Sequence, residues 1–574
     1  MKRKLTYLLL VLMPQLLWGQ ANLEWIKQYT PSVIPDRVSI RKIALDAERN
    51  IYSVGEFKGT VDFDPGPGNF YATANGQYVD IYVTKLDSSS NFIWCKQIAG
   101  PEFKNIFSLT LDTLNDIIIA GEFSNKLDFD PGVDSFFIDV GQNLSSFTCK
   151  LNNDGDFMWA KSFTGDANTS SYCKTTNLVT DNYGNIFSTG NFMDTIDFDP
   201  GPALNNLTST NYSSDVFISL LDSTGNFLWA KQLLGILNDY GGSITLDNEG
   251  NLIVTGIFQG TIDLDPNAGV YLLTASGNID AFILKLDNQG NFIWGGKIGG
   301  TSDETIFSAK TDLDGNVYLT GCFKGMVDFD PDTTTVFTMT SMGFSNDIFI
   351  MKLSEAGQLL WAKQIGGFGS EYGYDLTLDA FNNVYVTGTF QSGDFDPGAD
   401  STLLYATGVS SDIFLVELDS LGNFKWANGF GGKKVDESSS VVVDLFNNIY
   451  LGGDFGDTAN FSTSGIPYNL FAAGVYDGFV LKLNQTPLGI KDNLAGSTIA
   501  YSLFPNPVKE QLTINFDSDV NMQLILRDVL AREVLSKKLY KRTNIDVGYL
   551  DNGLYLYEVR NENGIVKTGK LIKN

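Results

Sequence analysis

The chain has 574 residues, a formal charge of −28 and a pI near 4.3. That length has room for more than one domain, and the acidity excludes a phosphate-backbone partner, because nucleic-acid binding needs clustered Lys and Arg. The complete absence of histidine removes Ser-His-Asp triads, Cys-His pairs, His-ligated zinc and imidazole proton shuttles, so any catalysis would rest on carboxylates, tyrosine or lysine.

The first segment, residues 1–20, reads as a signal peptide. Met1-Lys-Arg-Lys4 is charged, Leu5 to Trp18 is mostly apolar, and Gly19 to Ala21 supplies small residues at the expected cleavage point. No later stretch approaches the ~18 to 20 apolar residues of a membrane-spanning helix, so no transmembrane segment is expected in the mature chain. No cysteine stands at the cleavage point to take a lipid.

Residues 21–484 are a repeat array. Trp25, Trp94, Trp159, Trp229, Trp294, Trp361 and Trp426 recur about every 66 residues, a spacing that marks a repeat architecture. In the sixth copy Asp375–Asp379 is followed by Asn383–Phe390, Gly393–Gly398, Asp412–Asp419 and Gly422–Trp426, all strand-like. The Asn-x-Tyr/Phe-x-x-Gly-x-Phe strand begins at Asn50, Asp116, Asn185, Asn251, Asn316, Asn383 and Asn448. The Phe-x-x-Lys-Leu strand runs through Lys85, Lys150, Leu220, Lys285, Lys352, Glu417 and Lys482. No tryptophan strand follows the last of these, yet a spare one, Asn22–Gln28, precedes the first repeat. A linear solenoid has no use for that offset, whereas a closed ring takes the N-terminal strand as the outer edge of its last blade and leaves no exposed edge. The expected fold is therefore all-β: a seven-bladed β-propeller closed by its N-terminal strand.

Within each repeat, Asp-x-x-Gly-Asn segments such as Leu221–Asn226 and Asp312–Asn316 are tight turns, with Gly at the φ > 0 position. Strand direction alternates, so these turns share one face and the long connections share the other. The long-loop face is the expected working surface, with a glycan or a protein as its candidate ligand. The tryptophans are expected to pack between blades, and Cys95, Cys149, Cys173 and Cys322, in non-equivalent positions, are expected to be free buried thiols. The Leu-Asp-x-x-Gly-x-x-x-Trp pattern resembles the tryptophan-docking repeats of quinoprotein-type propellers, without their recognisable cofactor environment. The wider Gly-Asn-x-Tyr-x-x-Gly-x-Phe pattern with Asp-Phe-Asp-Pro-Gly resembles the SBBP-type β-propeller repeats of bacterial exported proteins. That likeness implies a fold, not an activity.

The Asp-Phe-Asp-Pro unit occurs at Asp62/Asp64, Asp128/Asp130, Asp197/Asp199, Asp328/Asp330 and Asp394/Asp396, with Asp263-Leu-Asp265 as a variant and Asn460-Phe-Ser462 as a degraded copy. Asp-Pro-Gly is itself a turn signature, and that is the first reading. The second is calcium: an aspartate recurs where the excursion returns, at Asp80, Asp215, Asp280, Asp347, Asp412 and Asp477, so three carboxylates can converge on a hard cation in several blades. Ser146 breaks this pattern in the second blade. The favoured function is a secreted or surface-displayed binding or structural module. The alternative is a carboxylate-based glycoside hydrolase or lyase acting on extracellular polysaccharide, which requires one carboxylate pair unlike the others.

Residues 485–499 form a linker with Pro487, Gly489 and Gly496. Residues 500–574 alternate apolar and polar residues like a small antiparallel β-sandwich. The opening Phe504-Pro505-Asn506-Pro507, the Leu-x-Asp segment ending at Asp528, Gly553-x-Tyr555 and the Lys570-Leu ending closely resemble the type A sorting domain of the type IX secretion system of Bacteroidota. Ala531 departs from it where glycine is common. The resemblance implies that the translocon and its sortase are partners, and that the destination is the medium or the outer-membrane surface.

Overall fold

The computed structural model describes residues 21–166, 171–332, 334–343, 345–408, 410–485, 501–504, 508–516, 522–527, 532–539, 542–550, 552–561 and 564–573. The signal peptide, nearly all of the linker, and Pro505, Asn506, Pro507 and Asp528 lie outside them. Among the described residues every regular element is a β-strand. The chain divides into two compact units, Trp18–Thr486 and a second containing Pro487–Asn574.

Among the described residues, strand pairing in the larger part gives seven four-stranded antiparallel units, whose strands we letter a to d. Unit 1 has a Arg37–Leu45, b Ile51–Lys58, c Asp80–Leu86 and d Phe92–Ile98. Its b and c strands are buried at nearly every position, whereas d alternates, because inner strands have both faces covered by neighbouring sheets. The last unit starts with Asp436–Val443, Ile449–Phe455 and Asp477–Asn484, and its fourth strand is the N-terminal segment Asn22–Pro31. That segment pairs antiparallel with Asp477–Asn484 from Asn22 opposite Asn484 to Tyr29 opposite Gly478. Each a strand packs against the a strand of the next unit, and the series returns from Asp436–Val443 to Arg37–Leu45.

The excursion between b and c folds into a short hairpin, Thr60–Asp62 with Tyr71–Thr73 in unit 1, which adds to the end of the preceding d strand: Thr30 lies opposite Asp62 and Pro31 opposite Val61. The same graft joins Phe157–Gly165 to Thr195–Asp197 and Phe227–Gly235 to Thr261–Asp263. Phe63, Phe129, Phe198, Phe329, Phe395 and Phe461 are all fully buried. Phe63, for example, packs among Tyr29, Phe57 and Tyr82 with ring centroids 4.6 to 5.5 Å apart. Outer strand and excursion thus tie neighbouring units together through an aromatic core.

The smaller part has two antiparallel sheets. One holds Tyr501–Phe504, Gln511–Phe516 and Arg542–Asp546, the other Glu533–Leu539, Met522–Arg527, Gly553–Asn561 and Gly564–Lys573. Leu512, Ile514, Leu524, Leu526, Ile545, Val559 and Leu571 form its core together with Tyr555. Phe504 ends the first strand, Gly553 opens the long hairpin and Lys570 lies in the last strand.

Candidate functional site

Each Asp-Phe-Asp unit is a self-capped turn. Asp62 Oδ1 accepts from the Asp64 and Phe70 amides at 3.1 and 2.8 Å, and Asp64 Oδ1 from the Gly66 amide at 2.8 Å. Asp128/Asp130, Asp197/Asp199, Asp263/Asp265, Asp328/Asp330 and Asp394/Asp396 repeat this arrangement. In the degraded copy, Asn460 still accepts from the Ser462 and Tyr468 amides at 3.1 and 2.9 Å. An amide oxygen suffices there, so the motif needs an acceptor and not a charge.

The return-point aspartates turn inward instead. Asp80 accepts from the Asn75 amide and from Gln97 Nε2, both at 2.8 Å, and Asp215, Asp280 and Asp347 do likewise with Gln232, Lys297 and Gln364. Asp412 caps the Thr407 amide at 2.9 Å. The three carboxylates expected to converge in several blades therefore do not. This holds for Asp62, Asp64 and Asp80, for Asp197, Asp199 and Asp215, for Asp263, Asp265 and Asp280, for Asp328, Asp330 and Asp347, and for Asp394, Asp396 and Asp412. Among the described residues no group of three or more His, Cys, Asp or Glu is placed to hold a metal ion. The physical reason is local: each carboxylate is already engaged by amides of its own loop, which draws the two sets in different directions.

The tryptophans lie at the opposite end of the units. Trp94, Trp159, Trp229, Trp294 and Trp361 each sit under a turn glycine of the next unit, at Gly155, Gly225, Gly290, Gly357 and Gly422. Trp294 Nε1 donates to the Glu355 carbonyl at 2.9 Å and Trp361 Nε1 to that of Ser420 at 3.3 Å. Trp25 packs edge-on against Tyr450 at 6.2 Å, and Trp426 is buried in the last unit's core. The four cysteines are buried and unpaired.

What the repeat pattern did not reveal is a charged cluster between units 7 and 1. A cavity of about 280 Å³ is lined by Arg37, Ser39, Arg41, Glu56, Glu437 and Asp454, with Val435 and Tyr476 contributed by long connections. Glu437 and Asp454 stand directly opposite each other across strands a and b. The same register position in the other six units holds Ser39/Glu56, Asn105/Glu122, Lys174/Asn191, Tyr240/Ile257, Thr305/Cys322 and Tyr372/Thr389. Only the last unit opposes two acids there. Burial, with Glu437 adding repulsion, pushes the Asp454 carboxyl up to about 7, and burial also raises Glu437. Arg41 Nη2 reaches Glu56 Oε2 at 3.2 Å. Deeper in, Asp375 joins four units: Lys42 Nζ lies at 3.3 Å, Ser308 Oγ donates at 2.9 Å and the Val441 amide at 3.1 Å. Burial opposes its charge, but the Lys42 and Lys310 ammoniums hold Asp375 below the usual carboxylate range. The signal that could have found the cluster is negative: it occupies a strand position at which the opposed pair changes from copy to copy.

Residues 502–574 match the family described as the secretion system C-terminal sorting domain, which marks the chain for type IX export and a place outside the cell or at its surface. Among curated proteins the chain is 29% identical over 240 residues to an uncharacterized WD repeat-containing protein of Acanthamoeba polyphaga mimivirus, covering 37% of this chain and 17% of that protein. It is 26% identical over 163 residues to the regulatory protein FlaEY of Caulobacter vibrioides, covering 28% of this chain and 17% of that protein. The chain thus spans about a sixth of the length of either relative. Among solved structures, the Pan2 WD40 domain of Neurospora crassa aligns over 82% of this chain and 98% of its own, with 8% identity and a TM-score of 0.35. The extracellular domain of a putative hybrid two-component system of B. thetaiotaomicron aligns over 93% and 80%, with 12% identity and a TM-score of 0.19. No helix of the described residues is long and apolar enough to cross a membrane.

Proposed function

We propose that the protein is a seven-bladed, closed β-propeller that is exported through a Sec leader and the type IX system, and that it acts outside the cell as a binding module whose ligand seat is the cluster between units 7 and 1. Support for ring closure comes from the pairing of Asn22–Pro31 with Asp477–Asn484 and from the return of the a-strand series to Arg37–Leu45. Support for the seat comes from its asymmetry. A scaffold feature recurs around the array, as Asp-Phe-Asp does in five copies and one Leu variant, whereas Arg37, Arg41, Glu437 and Asp454 occur at one seam, in a cavity to which long connections add Val435 and Tyr476. Paired guanidiniums and carboxylates around a tyrosine suit a polar ligand with several hydrogen-bonding groups, such as a glycan.

One observation favours a second reading, hydrolysis. Two opposed acids, one of them held protonated near neutral pH by burial, supply the acid and base roles of glycoside cleavage. Both readings are tested together by screening the full secreted chain and its Arg41→Ala and Asp454→Asn variants on a glycan array and against a polysaccharide panel. Binding that is lost in Arg41→Ala supports the seat. Turnover that is lost in Asp454→Asn makes the protein an enzyme, and ligand binding untouched by both substitutions sinks the assignment.

A further inference from the structure

The seams between units carry a second pattern, formed by the first residue of each c strand and one position of the next unit's a strand or its approach. Following strand register, two residues before the one opposite the b-strand glycine, that second position holds Val38, Lys104, Cys173, Asp239, Glu304, Glu371 and Asp436. Its partners across the seam change in step. Asp80 meets Lys104 as an ion pair at 2.7 Å with both side chains fully buried. At the second seam the register places Ser145 opposite Phe123, where the other units hold aspartate, and the adjacent Ser146 hydrogen-bonds the Cys173 thiol, neutral against neutral. The next four seams oppose acid to acid: Asp215 to Asp239, Asp280 to Glu304, Asp347 to Glu371 and Asp412 to Asp436. Seven of these eight residues are wholly inaccessible, and Asp412 is 4% exposed.

Two ionised carboxylates so placed would repel in a poorly solvated seam, and the cost is severe unless something positive lies between them. At the first seam Lys104 supplies that charge, its Nζ also donating to the Gly100 carbonyl at 2.6 Å. Among the described residues only one of the acid pairs has a lysine in contact, Lys297 at 2.8 Å from Asp280, and orphan oxygens remain: Asp239 Oδ2, Glu304 Oε1, Asp347 Oδ1, Glu371 Oε2 and Asp412 Oδ1 have no hydrogen-bond partner. Glycines make the room, since a Cβ at Gly299, Gly366 or Gly431 would fall on the Asp280, Asp347 or Asp412 carboxyl. We propose that each of these four seams is latched by one proton held between its two carboxyl groups, so that blade-to-blade adhesion over units 3 to 7 is a protonation-dependent property. A proton needs no extra space and converts one acceptor into the donor that its partner lacks.

The groups around the pairs set how each one titrates. Lys297 lies 2.8 Å from Asp280, with Asp303 and the Cys322 thiol near Glu304, while Asp457 and Asp454 face Asp436. At seams 3/4 and 5/6 the charge acting on Asp239 and on Glu371 is that of the partner, Asp215 and Asp347. Burial first, and the partner carboxylate after it, raise Asp239 to about 8, Glu304 to about 9, and Glu371 and Asp436 to about 7, while burial raises Asp215, Asp347 and Asp412 to about 6. All lie above the unfolded values, so the protonated form belongs to the folded state. The stabilisation is complete below the unfolded carboxylate range and is lost as pH rises through about 6 to about 9.

The test is a pH series of thermal unfolding on the full chain, in chelator with and without added calcium, together with the infrared C=O stretch of protonated carboxyl groups in the folded protein at neutral pH. The expected result is a melting temperature that falls from mildly acidic to alkaline pH, with the protonated carboxyl band present. In the quadruple variant Asp239→Asn, Glu304→Gln, Glu371→Gln, Asp436→Asn the fall shrinks to roughly half or less and the band weakens. If the quadruple variant does not fold, the single variants Glu304→Gln and Glu371→Gln each remove a share of the band. A wild-type protein without that band, or an alkaline fall unchanged in the variants, overturns the proposal. So does a calcium-dependent rise in melting temperature that disappears in the variants, since it puts a cation where the proton is assigned.

Discussion

Tyr29 offers the sharpest test of how the N-terminal strand holds the array together. It belongs to the strand completing unit 7, yet its ring lies in the core of unit 1, against Phe63 at 5.5 Å and Tyr82 at 5.9 Å, and it is 1% exposed. Its hydroxyl bonds to Ser53 Oγ at 3.1 Å and Thr84 Oγ1 at 2.8 Å. Removing only the hydroxyl, in Tyr29→Phe, leaves Ser53 and Thr84 bonded to each other and costs about 1 to 2 kcal/mol. Removing the ring, in Tyr29→Ala, opens a cavity at the seam and costs about 3 to 5 kcal/mol. With an unfolding entropy of about 2.1 cal/mol/K per residue over roughly 460 residues, each kcal/mol lowers the melting temperature by about 1 °C. Differential scanning calorimetry should therefore read a drop of about 1 to 2 °C for Tyr29→Phe and about 3 to 5 °C for Tyr29→Ala. Tyr183→Ala, on a largely exposed side chain, should be silent. A Tyr29→Ala protein that melts with the wild type would mean that the N-terminal strand is not part of the cooperative fold.

Three further outcomes follow from the same structure. A chain ending at Gln485 lacks the sorting domain matched over residues 502–574 and should accumulate in the periplasm of a type IX host, as read by cell fractionation; its normal arrival at the surface would refute the sorting role. Gly357→Ala should be worse than Gly250→Ala: both have positive φ, near 80°, but a Cβ at Gly357 lies 2.9 Å from the Trp294 ring while nothing lies within 4 Å of one at Gly250. Urea midpoints should show the ~1 kcal/mol backbone cost at Gly250 and roughly 1 to 3 kcal/mol more at Gly357. Asp62→Ala removes the acceptor of two amides and should cost about 1 kcal/mol by thermal melting, whereas Asp62→Asn, the residue type already used at Asn460, should cost less than half of that; equal losses would restore a role for the charge.

Whatever depends on period and local chemistry could be read from the order of the residues. The tryptophan spacing and the Asp-x-x-Gly-Asn turns announced repeated antiparallel strands, because alternation and turn residues act within a few positions of the chain. The spare Asn22–Gln28 strand announced that it needs a partner, since a strand edge must be satisfied somewhere, and Asp477–Asn484 is that partner. The Asp-Pro-Gly turns were equally legible as turns, for Asp62 and its equivalents bond to amides two and eight or nine residues away. Only the tertiary structure decided what lies across the seams. Asp62 and Asp80 look like partners along the chain, yet loop amides hold the first outward and burial takes the second into the seam. Asp280 and Glu304 share no motif, and Glu437 and Asp454 belong to separate strands that come opposite only when the unit folds. Period fixes which residues repeat, whereas charge and burial between units depend on which copies become neighbours, and that is set by packing over hundreds of residues.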